Sequence, residues 1–215
     1  MALTRDDVVD AAVGLLAEVG LEGLSLRRLA RELGVSAPTL YWHVADKRTL
    51  LDHVADRLLV DQWQVVPLAP GEDWGEWLRE RATRQYRALV THRDAARVLA
   101  GNRPTEAAMP AAEQVLGTLV AAGFTPTEAF AGIQALGNLV IGSALEYQAE
   151  RERDAGTGDG GVHDPARYPQ HAALTAVLAD RVGHGADHDE LFRHGLDLMI
   201  TGLRTRLAAP ATRTG

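Results

Sequence analysis

The chain has no cysteine, one lysine (Lys47) and few aromatic residues. Without cysteine there is neither a disulfide framework nor thiolate chemistry. β-branched runs of the kind that build sheets are also rare. What remains is an Ala-, Leu-, Arg- and Gly-rich composition that favours helix, so an all-α fold is predicted. No apolar stretch approaches the ~18–20 residues that cross a bilayer. The opening MALTRDD lacks the apolar core of a signal peptide, and a cytoplasmic location is expected. No nucleophilic triad or elbow stands out, and paired carboxylates fall on helix surfaces or in loops. The sequence therefore reads as a non-enzyme, with no cofactor and no metal site. Its 215 residues make one large domain or two small ones, with a net charge of −7.

The most informative stretch is SLRRLARELGVSAPTLYWHVADK, residues 25–47. Leu26, Leu29, Ala30 and Leu33 repeat at helical spacing, Ser25 can cap the helix start, and Gly34 can end it. A second short helix opens at Ser36 or Ala37, because proline is tolerated in a first turn. Two short helices across a tight glycine turn form a helix-turn-helix, whose second helix enters the DNA major groove. Leu40 and Val44 point the same way and can pack on the first helix. Pro38, Thr39, Tyr41, Trp42 and His43 are then left outside. As core aromatics of a bundle, Tyr41 and Trp42 would instead be sealed in. Exposed together, they suit contact with thymine methyls, sugars and phosphates. From Ser25 to Arg48 there are five cations against Glu32 and Asp46. That local balance of +3 on an acidic chain is the footprint of a phosphate-binding surface.

Along the chain, Thr4 and Asp7 suggest a capped first helix with Val8, Ala12, Leu15, Leu16 and Val19 inward and Gly20 closing it. Asp46 can cap a further helix carrying Leu50, Leu51, Val54 and Leu58. Residues 64–73 hold two prolines and a glycine and read as a linker. Helices are then predicted over 74–91, 94–100, 106–122, 126–153, 170–182 and 187–208. Both 126–153 and 187–208 are apolar on more than one side, which suggests a subunit interface. The resulting division is 1–46 (DNA binding), 47–63 (connecting helix), 64–208 (ligand binding and dimerisation) and 209–215 (disordered tail). Gly156, Gly158 and Gly161 match a dinucleotide-fingerprint spacing, but they follow a charged helix end rather than a strand and read as a loop. His184, His188 and His194 read as surface histidines.

Residues 4–60, with PTLYWHVADKRTLLD (38–52), HRDAARVLAGNRPTE (92–106) and GSALEYQ (142–148), resemble the TetR family of bacterial repressors, its tetracycline-responsive members above all. The resemblance implies a three-helix DNA-binding domain and a helical regulatory domain with a four-helix dimer bundle. It also implies a homodimer on a palindromic operator, released by a small organic effector. Arg27, Pro38 and Thr39 would read bases, while Tyr41, Trp42, His43 and Lys47 would contact backbone and thymine. Ala37 stands where those relatives have glutamine, so at least one operator base should differ.

In the tetracycline-responsive members the drug arrives chelated to magnesium, held partly by a histidine just before the G-x-R-P-T turn. Leu99 occupies that place here and cannot bind a cation. Trp63 replaces a second histidine, Arg81 and Gln85 replace asparagine and phenylalanine, and Val115 replaces glutamine. Glu146 alone matches the metal shell, and a lone carboxylate makes no magnesium site. The effector implied is thus an organic molecule other than magnesium–tetracycline, with Asn138 also lining the pocket. In similar proteins the turn at Arg103, Pro104 and Thr105 rearranges when effector binds; on its own it also reads as an ordinary helix stop. The alternative function is a helical ligand-binding protein, or a regulator without a small-molecule effector.

Overall fold

The computed structural model describes residues 3–59, 66–154, 164–181 and 188–208. Among the described residues all regular structure is helical, in ten α-helices. The first four are α1 (Arg5–Gly23), α2 (Leu26–Glu32), α3 (Ala37–Tyr41) and α4 (Lys47–Leu58). After the linker come α5 (Trp74–Thr91), α6 (Ala95–Leu99), a 3₁₀ turn (Glu106–Ala108) and α7 (Met109–Ala121). The chain then forms α8 (Pro126–Asp154), α9 (Pro169–Arg181) and α10 (His188–Ala208).

Local chemistry sets most of these boundaries. Thr4 and Asp7 form a reciprocal capping box at α1, and these hydrogen bonds hold the Asp7 carboxyl below its usual range. The Ser25 hydroxyl accepts the Arg28 N–H at α2, and the Asp46 carboxylate accepts the Thr49 N–H at α4. Gly34, at φ 67°, supplies the left-handed turn between α2 and α3. The α1 boundary differs from expectation: Gly20 makes a kink (φ 73°, ψ 176°) and helical structure resumes to Gly23. The predicted 106–122 helix opens as the separate 3₁₀ turn, and the predicted 94–100 helix shortens to Ala95–Leu99.

Two apolar cores result. Val8, Leu16, Leu29, Leu40, Leu50 and Val54 fill the first, which also takes in Val98 from α6. Trp77, Leu78, Tyr86, Val115, Leu136, Val140, Phe192 and Leu196 fill the second. Leu58 and Leu99 pack against both. In the second core the Tyr86 and Phe192 rings stack at 4.1 Å, joining α5 to α10. Trp74 meets Phe124 edge-on at 5.2 Å.

Helix α8 corrects one expectation. Over Pro126–Glu152 it is long and apolar enough to cross a membrane by length and composition, with mean hydropathy 1.2. Leu136, Val140 and Ala144 are nevertheless buried against the second core, so one face of the helix packs within the bundle.

Candidate nucleic-acid interface and its link to the regulatory core

Helix α3 is held by two buried anchors. Leu40 is 0% exposed and Val44 1%. With these pinned, the intervening residues must turn outward: Tyr41 is 56% exposed and Trp42 87%. The helix ends at Tyr41, short of the predicted His43, and a turn carries Trp42 and His43. Ser36 and Thr39 share a hydroxyl hydrogen bond of 2.8 Å across the first turn. Arg27 and Pro38 are exposed, whereas Ala37, Thr39, His43 and Lys47 are half-buried. Arg28 is drawn toward Glu18 at 3.6 Å. The recognition segment is thus a small knob bearing two rings and a prolyl carbon, flanked by cations.

Sequence reading missed one member of this surface. Arg5, at the start of α1, donates through Nε to the His43 carbonyl at 3.1 Å. The 38-residue separation left no local signal to find it by.

Lys47 is tied inward as well. Its ammonium donates to the Leu21 carbonyl at 3.1 Å, and the Leu21 N–H donates to the Asp94 carboxylate at 2.7 Å. The backbone of one residue beside the α1 kink, Leu21, therefore joins Lys47 of α4 to Asp94 at the start of α6. Asp94 is buried and left-handed (φ 56°) at the start of α6. Arg97 bridges Asp94 at 3.1 Å and Glu22 at 2.6 Å; Glu22 and then Asp94 raise its pKa. The kink requires glycine: a Cβ on Gly20 would lie 2.8 Å from Asp94 Oδ2 and 2.9 Å from Arg93 Nη2.

A second link runs along α4. Arg48, Asp52 and Asp56 are spaced four apart and so share one face. Arg48 donates to the Gly101 carbonyl, Asp52 accepts the Arg103 N–H at 3.4 Å, and Asp56 accepts the Thr105 N–H at 3.2 Å and its hydroxyl. Four helical residues rise about 6 Å, and two extended residues advance about 6.6 Å. That near match lets three rungs form between a helix and an irregular segment.

The expected ligand-contacting residues divide. Val115 is buried in the second core, and Arg81, Gln85 and Leu99 are half-buried. Burial lowers the Arg81 pKa to about 10, and Arg84 nearby adds to the shift. Asn138 and Glu146 are exposed. The reason is rotational: Leu136 and Ala144 are buried, and a residue two positions on lies about 200° round the helix. Arg103 and Pro104 are exposed too, because their segment faces α4 through its backbone. Trp63, the 156–161 glycines, His184 and the 209–215 tail lie outside the described residues. His188 is not a bare surface histidine: it pairs with Glu150 and meets the Tyr147 ring edge-on at 5.7 Å. Among the described residues no cluster of three or more His, Cys, Asp or Glu could hold a metal.

Comparison with known proteins agrees in both halves. Residues 8–54 match the family described as bacterial regulatory proteins, tetR family, and residues 66–207 match the tetracyclin repressor-like C-terminal domain. The chain is 36% identical to the class D tetracycline repressor of Escherichia coli, over 96% of this chain and 92% of that protein. It is 34% identical to the HTH-type transcriptional repressor DrrR1 of Streptomyces coeruleorubidus, covering 96% of this chain and 79% of that one. Among solved structures, ActR of Streptomyces coelicolor in complex with (S)-DNPA superposes with a TM-score of 0.82 at 31% identity, over 96% and 100% of the two chains.

Proposed function

Because the chain belongs to the TetR family of bacterial regulatory proteins, we propose that it is a homodimeric transcriptional repressor that grips a palindromic operator and lets go when a small organic effector binds. The observation that carries this reading is the outward presentation of Tyr41 and Trp42 on a segment pinned by Leu40 and Val44. Arg27, Pro38 and Thr39 read bases, with Ala37 altering the preference; Tyr41, Trp42, His43 and Lys47 grip sugar, phosphate and thymine methyls. Residues 1–46 form the DNA-binding unit, 47–63 the connection, begun by α4, and 64–208 the regulatory and dimerisation unit. The protein works in the cytoplasm, where its operator is.

Effector binding in the regulatory core moves the 101–105 segment. The α4 rungs carry that movement to the recognition segment, changing the spacing of the two DNA-binding units. Swinging the population from 1:99 to 99:1 requires the effector to prefer the released state by about 5.5 kcal/mol. Support for a small organic effector comes from relatives solved with minocycline and (S)-DNPA. Leu99, an aliphatic side chain packed between the two cores, argues against a magnesium-chelated drug.

The test is selection of bound duplexes from a random library, followed by gel shifts at controlled salt. The expected result is a palindrome whose half-sites lie about 34–36 Å, one helical turn, apart. Trp42→Ala should leave the fold unchanged, since its side chain is solvent-exposed, and abolish binding. Retention of wild-type affinity by the variant would refute the assignment.

A further inference from the structure

We propose that Asp94 is a positioning residue for DNA binding, acting through the Leu21 backbone to hold the Lys47 ammonium ready for a phosphate. This deepens the repressor reading above and rests on it, because Lys47 meets DNA only under that reading. Asp94 precedes α6 at the place where a carboxylate ordinarily caps its own helix. Its side chain makes no such bond. One oxygen instead accepts the Leu21 N–H at 2.7 Å, and the other accepts from Arg97 Nη1 at 3.1 Å. Asp94 is also, among the described residues, the one non-glycine with positive φ, at 56°. Such a backbone costs free energy in any residue with a side chain, and persists only where its surroundings fix it.

The surroundings that fix it belong to α1. Gly20 kinks that helix and sits so close to Asp94 that a Cβ would lie 2.8 Å from Oδ2. Arg93 donates to the Glu18 carbonyl at 3.0 Å, and Arg97 reaches the Glu22 carboxylate at 2.6 Å. Leu21 is gripped between these contacts, and its carbonyl accepts from Lys47 at 3.1 Å. A lysine gains from such support. Its ammonium is a point charge on a flexible four-carbon stem, and a stem ordered beforehand is one that DNA need not order on binding. The Leu21 carbonyl takes one of the three ammonium donors and leaves two for phosphate oxygens.

Lys47 is the chain's one lysine, which makes the test direct. In protein carrying isotope-labelled lysine, the one lysine side-chain signal in the magnetic resonance spectrum should show the restricted motion of an anchored group. Asp94→Gly keeps the left-handed backbone and removes the acceptor. Its lysine signal should become mobile, and the slope of log operator affinity against log salt should fall by about 1. Asp94→Asn tolerates the same backbone and keeps an amide oxygen for the Leu21 N–H, so both readouts should stay near wild type. Lys47→Met should lose the same slope alone, and adding Asp94→Gly to it should lose no more. A purely structural Asp94 would give the opposite, a further loss in the double variant. The inference is overturned by an Asp94→Gly slope equal to wild type, by additive losses in the double variant, or by a wild-type lysine signal as mobile as that of free lysine. The last result needs no variant, and so survives an Asp94→Gly protein that fails to fold. Wild-type protein that binds no operator defeats the repressor reading, whereas operator binding with any of those three results defeats only this inference.

Discussion

Arg5 is where a single side chain extends the DNA-facing surface beyond the helix-turn-helix. Its Nε closes the His43 carbonyl at the end of the recognition turn, a group that a five-residue helix leaves without an intrahelical partner. A guanidinium has five N–H donors, and this bond uses one. Exposed and held at the end of the recognition turn, the same cation has donors left to meet a phosphate. Arg5→Gln is expected to weaken binding about equally for operator and random duplex, and to reduce the slope of log affinity against log salt by about 1. Arg5→Lys should restore the slope while loosening the turn. An unchanged slope in a folded Arg5→Gln protein would leave Arg5 as a cap on the turn and nothing more.

Among the helices, α4 is the mechanical connection, joined to the 101–105 segment by a ladder and to both cores by Leu58. Thr105→Val removes the hydroxyl bond to the Asp56 carboxylate and keeps the backbone N–H bond of the same rung. Hydrogen bonds to charged groups are worth about 1.5–3 kcal/mol, and partial exposure brings this one nearer 1 kcal/mol. Urea melts should record that loss, with operator affinity retained but effector-driven release blunted; release at the wild-type effector concentration would show that the ladder does not carry the signal. How much of this was legible beforehand follows the range of each interaction. The Thr4–Asp7 box, the Ser25 and Asp46 caps and the Gly34 turn all depend on residues within three or four positions, and the sequence shows them. Gly20 marked a break locally, but the Arg93 and Asp94 side chains that crowd it lie more than 70 residues away, and that contact leaves no local trace. Periodicity marked α8 as apolar, but its rotation is set by Leu136, Val140 and Ala144 meeting the second core. Only that packing shows Asn138 and Glu146 turned out.

For the molecule as a whole, one protomer leaves apolar surface that its own fold does not cover. Leu191 and Leu198 are seven residues apart, hence on one face of α10, and are 56% and 63% exposed. On α8, Phe130 is exposed as well, while the opposite side of each helix is buried in the second core. Two faces of this kind on two long helices are suited to self-complementary association, in which each copy presents the same patch. A palindromic operator needs such pairing, because each recognition segment reads only a half-site. Leu198→Glu is therefore the decisive substitution. Its side chain is mostly exposed in the protomer, so the helical circular dichroism should stay unchanged. In a dimer, however, the substitution would bring two carboxylates, one from each copy, into an apolar seam. Sedimentation should then give a monomer, and operator affinity should fall toward that of a single half-site. A Leu198→Glu protein that remains dimeric and binds operator at wild-type strength would mean that this face of α10 is not where the copies meet, and the pairing would have to be sought elsewhere on the surface.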